Sequence, residues 1–199
     1  LPQKLASYNG VVVRRPRLFD KTDFYPDYER ALLRAIRREV ANEQSVTIIG
    51  GGLGVSTTSA ARNGATVTVY EASRRRFEMI KETIELNRVE NKVTVQHAII
   101  ETEVAVTGPT KGATTLSASK LPKCDTLILD CEGAEIPILQ SLVIKPNQII
   151  VESHPMYDSP SDEVRSMLLD SGYDILNEED EETNRGIVTI FSAVLSDER

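Results

Sequence analysis

The run VTIIGGGLG occupies residues 46–54, and seventeen residues past its last glycine stands Glu71-Ala72. Residues 46–49 are short, β-branched and free of charge, the composition of a strand buried on both faces. The glycines that follow forbid a regular element and let the backbone pass close to a ligand. A helix is expected over residues 56–63, with Gly64 as its stop. The next strand, ATVTVYEA at 65–72, ends on one carboxylate, Glu71, placed where an acid can accept both hydroxyls of a ribose. Strand, glycine turn, helix, strand and terminal acid together spell a nucleoside-binding βαβ unit.

The glycine spacing narrows the nucleoside. A dinucleotide loop needs G-x-G-x-x-G, so that a helix N-terminus can meet a pyrophosphate. Counting from Gly50 puts Val55 in the sixth place, and counting from Gly52 puts Thr57 there. The series fits G-x-G-x-G instead, at Gly50, Gly52 and Gly54, with Gly51 between them. That pattern resembles the first motif of class I S-adenosylmethionine-dependent methyltransferases. The resemblance calls for an acid two residues before the first glycine, and this chain has Ile48. The contact that acid would make is therefore missing or supplied from elsewhere.

The remaining composition sets bounds. A chain of 199 residues with 40% hydrophobic and 27% charged residues fits one soluble domain that buries a core without disulfides. We expect it to run over 1–199, with 1–44 as an N-terminal cap and helix and 45–199 as the cofactor-binding sheet. No apolar run approaches the ~18 residues of a membrane span, and no leader pattern is visible. Cys124 and Cys131 have no C-x-x-C spacing and read as reduced thiols, so the expected location is cytoplasmic. The net charge of −7 argues against a nucleic-acid partner, although arginines cluster at 14–17, 30–38 and 74–76. The 30–38 set has helical spacing and reads as a solvated face.

Along the chain, residues 1–28 read as an irregular cap with one strand-like run at 11–13. An amphipathic helix is expected at 28–40, a second at 77–86, and a strand at 92–100. Residues 101–123 are rich in small polar groups and read as a β-ribbon or loop excursion. Strands at 127–130 and 148–152 flank a helix at 134–143, and another helix covers 162–169. The chain closes with 173–176, an acidic hairpin tip EEDEET, and an alternating strand at 187–195. The result is an α/β fold: a class I methyltransferase (Rossmann-like) sheet, mostly parallel, with a C-terminal antiparallel hairpin.

Further motifs sharpen the resemblance. Tyr28-Glu29 before the first helix, IIGGGLG, YEA at 70–72, LNRVENKV at 86–93, LPKCDTLILDCEGAEIPIL at 121–139 and IIVESHP at 149–155 occur in the order found in FkbM-type methyltransferases. The resemblance covers most of the chain from about residue 28 onward. It implies transfer of a methyl group from S-adenosyl-L-methionine to a hydroxyl of a sugar or other small molecule. It assigns cofactor binding to Gly50, Gly51, Gly52, Gly54, Glu71, Ala72, His97, Ala98 and Asp130. His97 would meet the adenine, or serve only the structure. Catalysis falls to Asp130, Glu152 and His154, at the ends of two adjacent strands. Asp130 would orient the methionyl amine or take the acceptor's proton, and it could equally cap a helix. Glu132 and Glu135, near that helix's start, divide between capping and site roles.

Three alternatives stay open: a binding protein of this fold without catalysis, a nucleic-acid methylase, and a NAD-dependent oxidoreductase, which the glycine spacing opposes. Monomer and homodimer are equally compatible with the sequence. No metal ligand is assigned and metal-independent turnover is expected, since Glu152 and Ser153 depart from the acids and amide that would hold Mg²⁺.

Overall fold

The computed structural model describes residues 4–15, 23–101 and 109–196. Its first elements form a small sheet: β1 (Lys4–Tyr8), β2 (Val11–Arg15) and β3 (Phe24–Tyr25), in the order β2-β1-β3. This corrects the reading of an irregular cap. The short turn at Asn9 and Gly10, both at positive φ, pairs β1 with β2 as a hairpin, and Tyr8 is buried between Tyr25, stacked at 4.5 Å, and Tyr28, edge-on at 4.9 Å. Asn87 clamps the sheet to the body, accepting from Val12 N at 3.1 Å and donating to Val12 O at 2.7 Å.

The body follows as α1 (Arg30–Glu39), β4 (Ser45–Ile49), α2 (Val55–Arg62), β5 (Thr66–Glu71), α3 (Arg74–Leu86) and β6 (Val93–Ile100). It continues with β7 (Thr114–Leu116), β8 (Thr126–Leu129), α4 (Glu135–Ser141), β9 (Gln148–Ser153), α5 (Ser161–Asp170), β10 (Tyr173–Thr183) and β11 (Gly186–Leu195). The large sheet has the order β10-β11-β9-β8-β4-β5-β6-β7. It is parallel from β9 to β7, and β11 runs antiparallel to both β9 and β10. Where Arg17 and the loop of 102–108 are concerned, the readings above lie outside the described residues. Within the described part of the excursion after β6, residues 114–116 form β7, one parallel strand on the sheet edge.

Alternation on the buried strands splits the core in two, as a pleat demands. Val46, Ile48, Ile128 and Ile150 face one cluster with α1, α2 and the small sheet. Ile49, Leu127, Leu129, Ile149 and Val151 face the other with α4 and α5. Helix α2 is sandwiched so tightly that Val55 to Ala61 are all buried, which its Ser, Thr and Ala side chains permit.

The acidic run EEDEET is also corrected. It is the second half of β10, and the hairpin turns one step later, at Asn184 and Arg185. Its acids have partners across the fold: Glu179 pairs with Arg34 at 2.9 Å, and Glu181 accepts from the N–H groups of Arg30 and Ala31 at 3.1 and 2.6 Å. The arginine face of α1 is thus turned partly onto an acidic strand. Among the described residues both cysteines are free, and no helix is long and apolar enough to cross a membrane.

Candidate active site

The chain leaves β4 outward to β5 and β6, then returns to place β8 on β4's other side. The crevice at this switch point lies between the carboxyl ends of β4 and β8, where open α/β sheets bind ligands. Two hydrogen bonds fix its floor: Gly50 N donates to Tyr70 O at 3.0 Å, and Asp130 N to Ile49 O at 2.9 Å. The glycines of 50–54 do different work. A Cβ on Gly50 would sit 1.7 Å from the Asp130 carbonyl oxygen, so that glycine lets β4 and the end of β8 close together. Gly51 and Gly54 pack against α3, and Gly51 also meets Val69 on β5. Gly52, at φ +52°, has nothing within 4 Å of the Cβ position and faces open space.

Glu71 completes the loop. It is 4% exposed; Oε2 accepts from Gly52 N at 3.1 Å and Oε1 from Ser73 N at 2.8 Å. Burial raises its pKa, opposed by those backbone N–H groups and by Arg76. A carboxylate steered over a glycine loop, with a narrow cleft lined by Tyr70, Ala72, Ala98, Ile100 and Ala134 beyond it, fits a ribose diol and a flat base. His97 is placed differently from its neighbours. Its Nε2 lies 3.1 Å from Ala72 O, its ring tilts on Phe77 at 5.2 Å, and it does not line that cleft.

Beside the cleft opens a cavity of about 470 Å³. Asp130, Glu132 and Arg76 border both spaces. The structure brings Asp130, Glu152 and His154 together, with one ligand atom of each within 4.8 Å of the others. His154 Nε2 is 3.7 Å from Asp130 Oδ1 and 3.5 Å from Glu152 Oε1. Its Nδ1 lies 2.9 Å from Oε1 of Glu135, which is fully buried and also accepts from Cys131 N at 3.1 Å and Gly133 N at 2.9 Å. Glu135 therefore both ties the loop to α4 and orients the imidazole. Burial alone would lower the His154 pKa, but the hydrogen bonds of Glu135 and Glu152 and the charge of Asp130 raise it to about 11. Asp130 is pushed well above the carboxylate range, by burial first and then by Glu152 and Glu29, with His154 opposing.

Of the other lining residues, Tyr28, Glu29 and Glu132 were named by the sequence reading without being placed at this cavity, and Tyr157 and Arg185 were not named. Glu29 and Tyr28 enter from the N-terminal side, and Glu29 sits in left-handed backbone at φ 44°, ψ 45° as the N-cap of α1. Glu132, also at positive φ, accepts from Arg76 at 3.3 Å and Arg185 at 3.2 Å, so the β10–β11 turn is strapped across the opening. Arg185 also reaches the Tyr157 hydroxyl at 3.1 Å. The sequence signals were the Tyr28-Glu29 pair, Glu132 and the arginines just past Glu71, none of which pointed to this cavity by itself.

Comparison with known proteins settles the class. Residues 40–175 match the methyltransferase FkbM domain. The chain belongs to the FkbM methyltransferase family. No curated protein sequence matches it. Among solved structures, it is similar to the M. jannaschii tRNA m1G37 methyltransferase (TM-score 0.65, 14% identity, covering 98% of this chain and 57% of that one). It is similar to the ribosomal protein L11 methylase of Lactobacillus delbrueckii subsp. bulgaricus (0.63, 14%, 92% and 91%). A third is the precorrin-6y C5,15-methyltransferase of Geobacter metallireducens GS-15 (0.57, 13%, 92% and 94%). The chain spans little more than half the length of two of the solved structures it matches, one of them the M. jannaschii enzyme. These likenesses establish the class I methyltransferase fold, and the match over residues 40–175 establishes the FkbM family.

Proposed function

We propose that this FkbM domain methylates a hydroxyl of a small molecule bound in the cavity beside Asp130. The observation that carries the reading is the position of Asp130, the one acid that borders both the nucleoside cleft and the larger cavity while lying within reach of His154 and Glu152. Glu71 and the backbone at Gly52 would hold the ribose, and Ala72 and Ala98 the base. When bound, S-adenosylmethionine supplies a methyl group already activated on a sulfonium. The residues then have two tasks, alignment and proton removal. Asp130 takes the proton of the acceptor hydroxyl as the O–CH₃ bond forms. Its raised pKa makes it a stronger base than an exposed aspartate. His154, held as an imidazolium by Glu135, keeps Glu152 paired and favours the carboxylate form of Asp130 that accepts the proton.

The cavity wall favours a small acceptor over nucleic acid. Among the described residues it carries seven carboxylates against two guanidiniums and the His154 ring, a field that repels phosphate. Labelled methyl donor offered to sugar, phenol, amine and tRNA pools tests the assignment. Label is expected in the hydroxylated small molecules, with Asp130→Asn lowering turnover by ~10²–10⁴. Label in tRNA alone, or undiminished turnover in Asp130→Asn, would overturn it.

A further inference from the structure

The large cavity holds an imbalance of charge that the proton-transfer role of Asp130 leaves unused. Glu29, Asp130 and Glu152 converge on it, and His154 is shared between Asp130 and Glu152. Glu29 is left with the Tyr28 side chain as its hydrogen-bond partner and with Glu152 and Glu181 as like-charged neighbours. Among the described residues named as acting on it, Arg76 is the one opposite charge, and Glu132 shares that guanidinium. Glu29 is half-buried, so its charged form is costly until a cation meets it. It is also held in left-handed backbone, which an acidic residue adopts at a cost.

The location narrows what could satisfy it. Gly52, open above its Cα, and Leu53 line the same cavity as Glu29, and Gly52 N is the group bonded to Glu71. A nucleoside whose ribose sits on Glu71 must send its 5′ substituent over Gly52 into this space. On the other side, Ile48 is fully buried in the core of the sheet and brings no polar group to the loop. The cavity therefore offers a carboxyl group without a cation of its own, which complements the ammonium of an amino-acid tail.

We propose that Glu29 binds the ammonium group of the methyl donor's amino-acid tail. This rests on the cofactor reading above. Glu29 is then a binding residue for the donor and takes no part in proton transfer from the acceptor.

Calorimetry with two ligands tests it: S-adenosylhomocysteine, which carries the tail, and 5′-methylthioadenosine, which lacks it. Glu29→Gln is expected to weaken the first by about one to two decades, the loss of one hydrogen bond between charged groups, and to leave the second within about twofold. A further readout comes from protons. Free Glu29 titrates at about 8, raised by burial first and then by Glu152. At pH 7 it holds a proton that an arriving ammonium would displace. Wild type should therefore release a proton on binding S-adenosylhomocysteine, detected as a buffer-dependent enthalpy, and Glu29→Gln should not. Equal affinity for S-adenosylhomocysteine in the two proteins, or equal losses for both ligands, overturns the proposal. Glu29→Asn, which tolerates left-handed backbone, repeats the comparison should the glutamine variant melt early. Wild type binding neither ligand would instead refute the cofactor reading, and this proposal with it.

Discussion

Glu71 shows how one side chain can be read from its place in the chain and still depend on the fold for its chemistry. Its carboxylate bridges Gly52 N and Ser73 N, so the loop and the strand end hold it in one orientation. Burial raises its pKa, so the charged form is costly until a ligand's hydroxyls donate to it. Glu71→Ala should weaken S-adenosylhomocysteine binding by roughly 1.5–3 kcal/mol. The glycine loop should survive, because Gly50 is still fixed by Tyr70 O and Gly54 still donates to Gly51 O. Titration calorimetry with unchanged affinity would take Glu71 out of the site. His97 gives the opposite lesson. Its place one residue before Ala98 suggested the base, and the fold instead turns its ring onto Ala72 O and Phe77. Strand alternation predicts which face a side chain takes but not which neighbour from α3 will meet it.

Helix α1 and strand β10 illustrate coupling between elements. The first turn of α1 has no acid of its own and Glu29 makes no side-chain cap bond, so its free N–H groups need an outside acceptor. Glu181 supplies it from 150 residues away, accepting from Arg30 N and Ala31 N. This is why an acidic run that looked like a solvated tip is a long strand: alternate acids point at the positive end and arginine face of α1. Glu181→Ala should cost about 0.5–2 kcal/mol in urea unfolding, the range for a lost helix cap. Since Glu29 lies at the same helix start, the variant should also loosen that residue. An unfolding midpoint equal to wild type would mean that water replaces Glu181 at no cost.

For the molecule as a whole, the cluster of Asp130, Glu152 and His154 raises the matter of a metal. Its ligand atoms are close enough to share an ion. His154, however, has Nδ1 on Glu135, and its carboxylate neighbours raise its pKa to about 11, so the protein can itself supply a positive charge between the carboxylates. We therefore expect methyl transfer to persist after EDTA treatment. Activity that vanished and returned with added Mg²⁺ or Mn²⁺ would make Asp130 and Glu152 metal ligands and displace Asp130 from its role as base. Because His154 stays protonated to high pH, rising pH through the neutral range should not switch the cluster by that group.

What was legible in the amino-acid order was whatever depends on near neighbours. The apolar run of β4, the glycines after it, the period-two strands and 3.6-period helices, and the acid closing β5 are all set within a few residues of one another. They were enough for the sheet, its switch point and the placing of Glu71 beside the glycine loop. The other end was legible only in part, for a physical reason. Asp130 and the pair Glu152 and His154 could be read as the ends of adjacent strands, but Glu29 and Arg185 come from remote stretches, and nothing local marks them as neighbours of that cluster. Their chemistry arises only when the sheet closes and water leaves, because desolvation and close like charges set the pKa values. The same holds for β10: its acids are polar in any sequence, and only the packing of α1 against that strand turns them from solvated charges into caps and ion pairs.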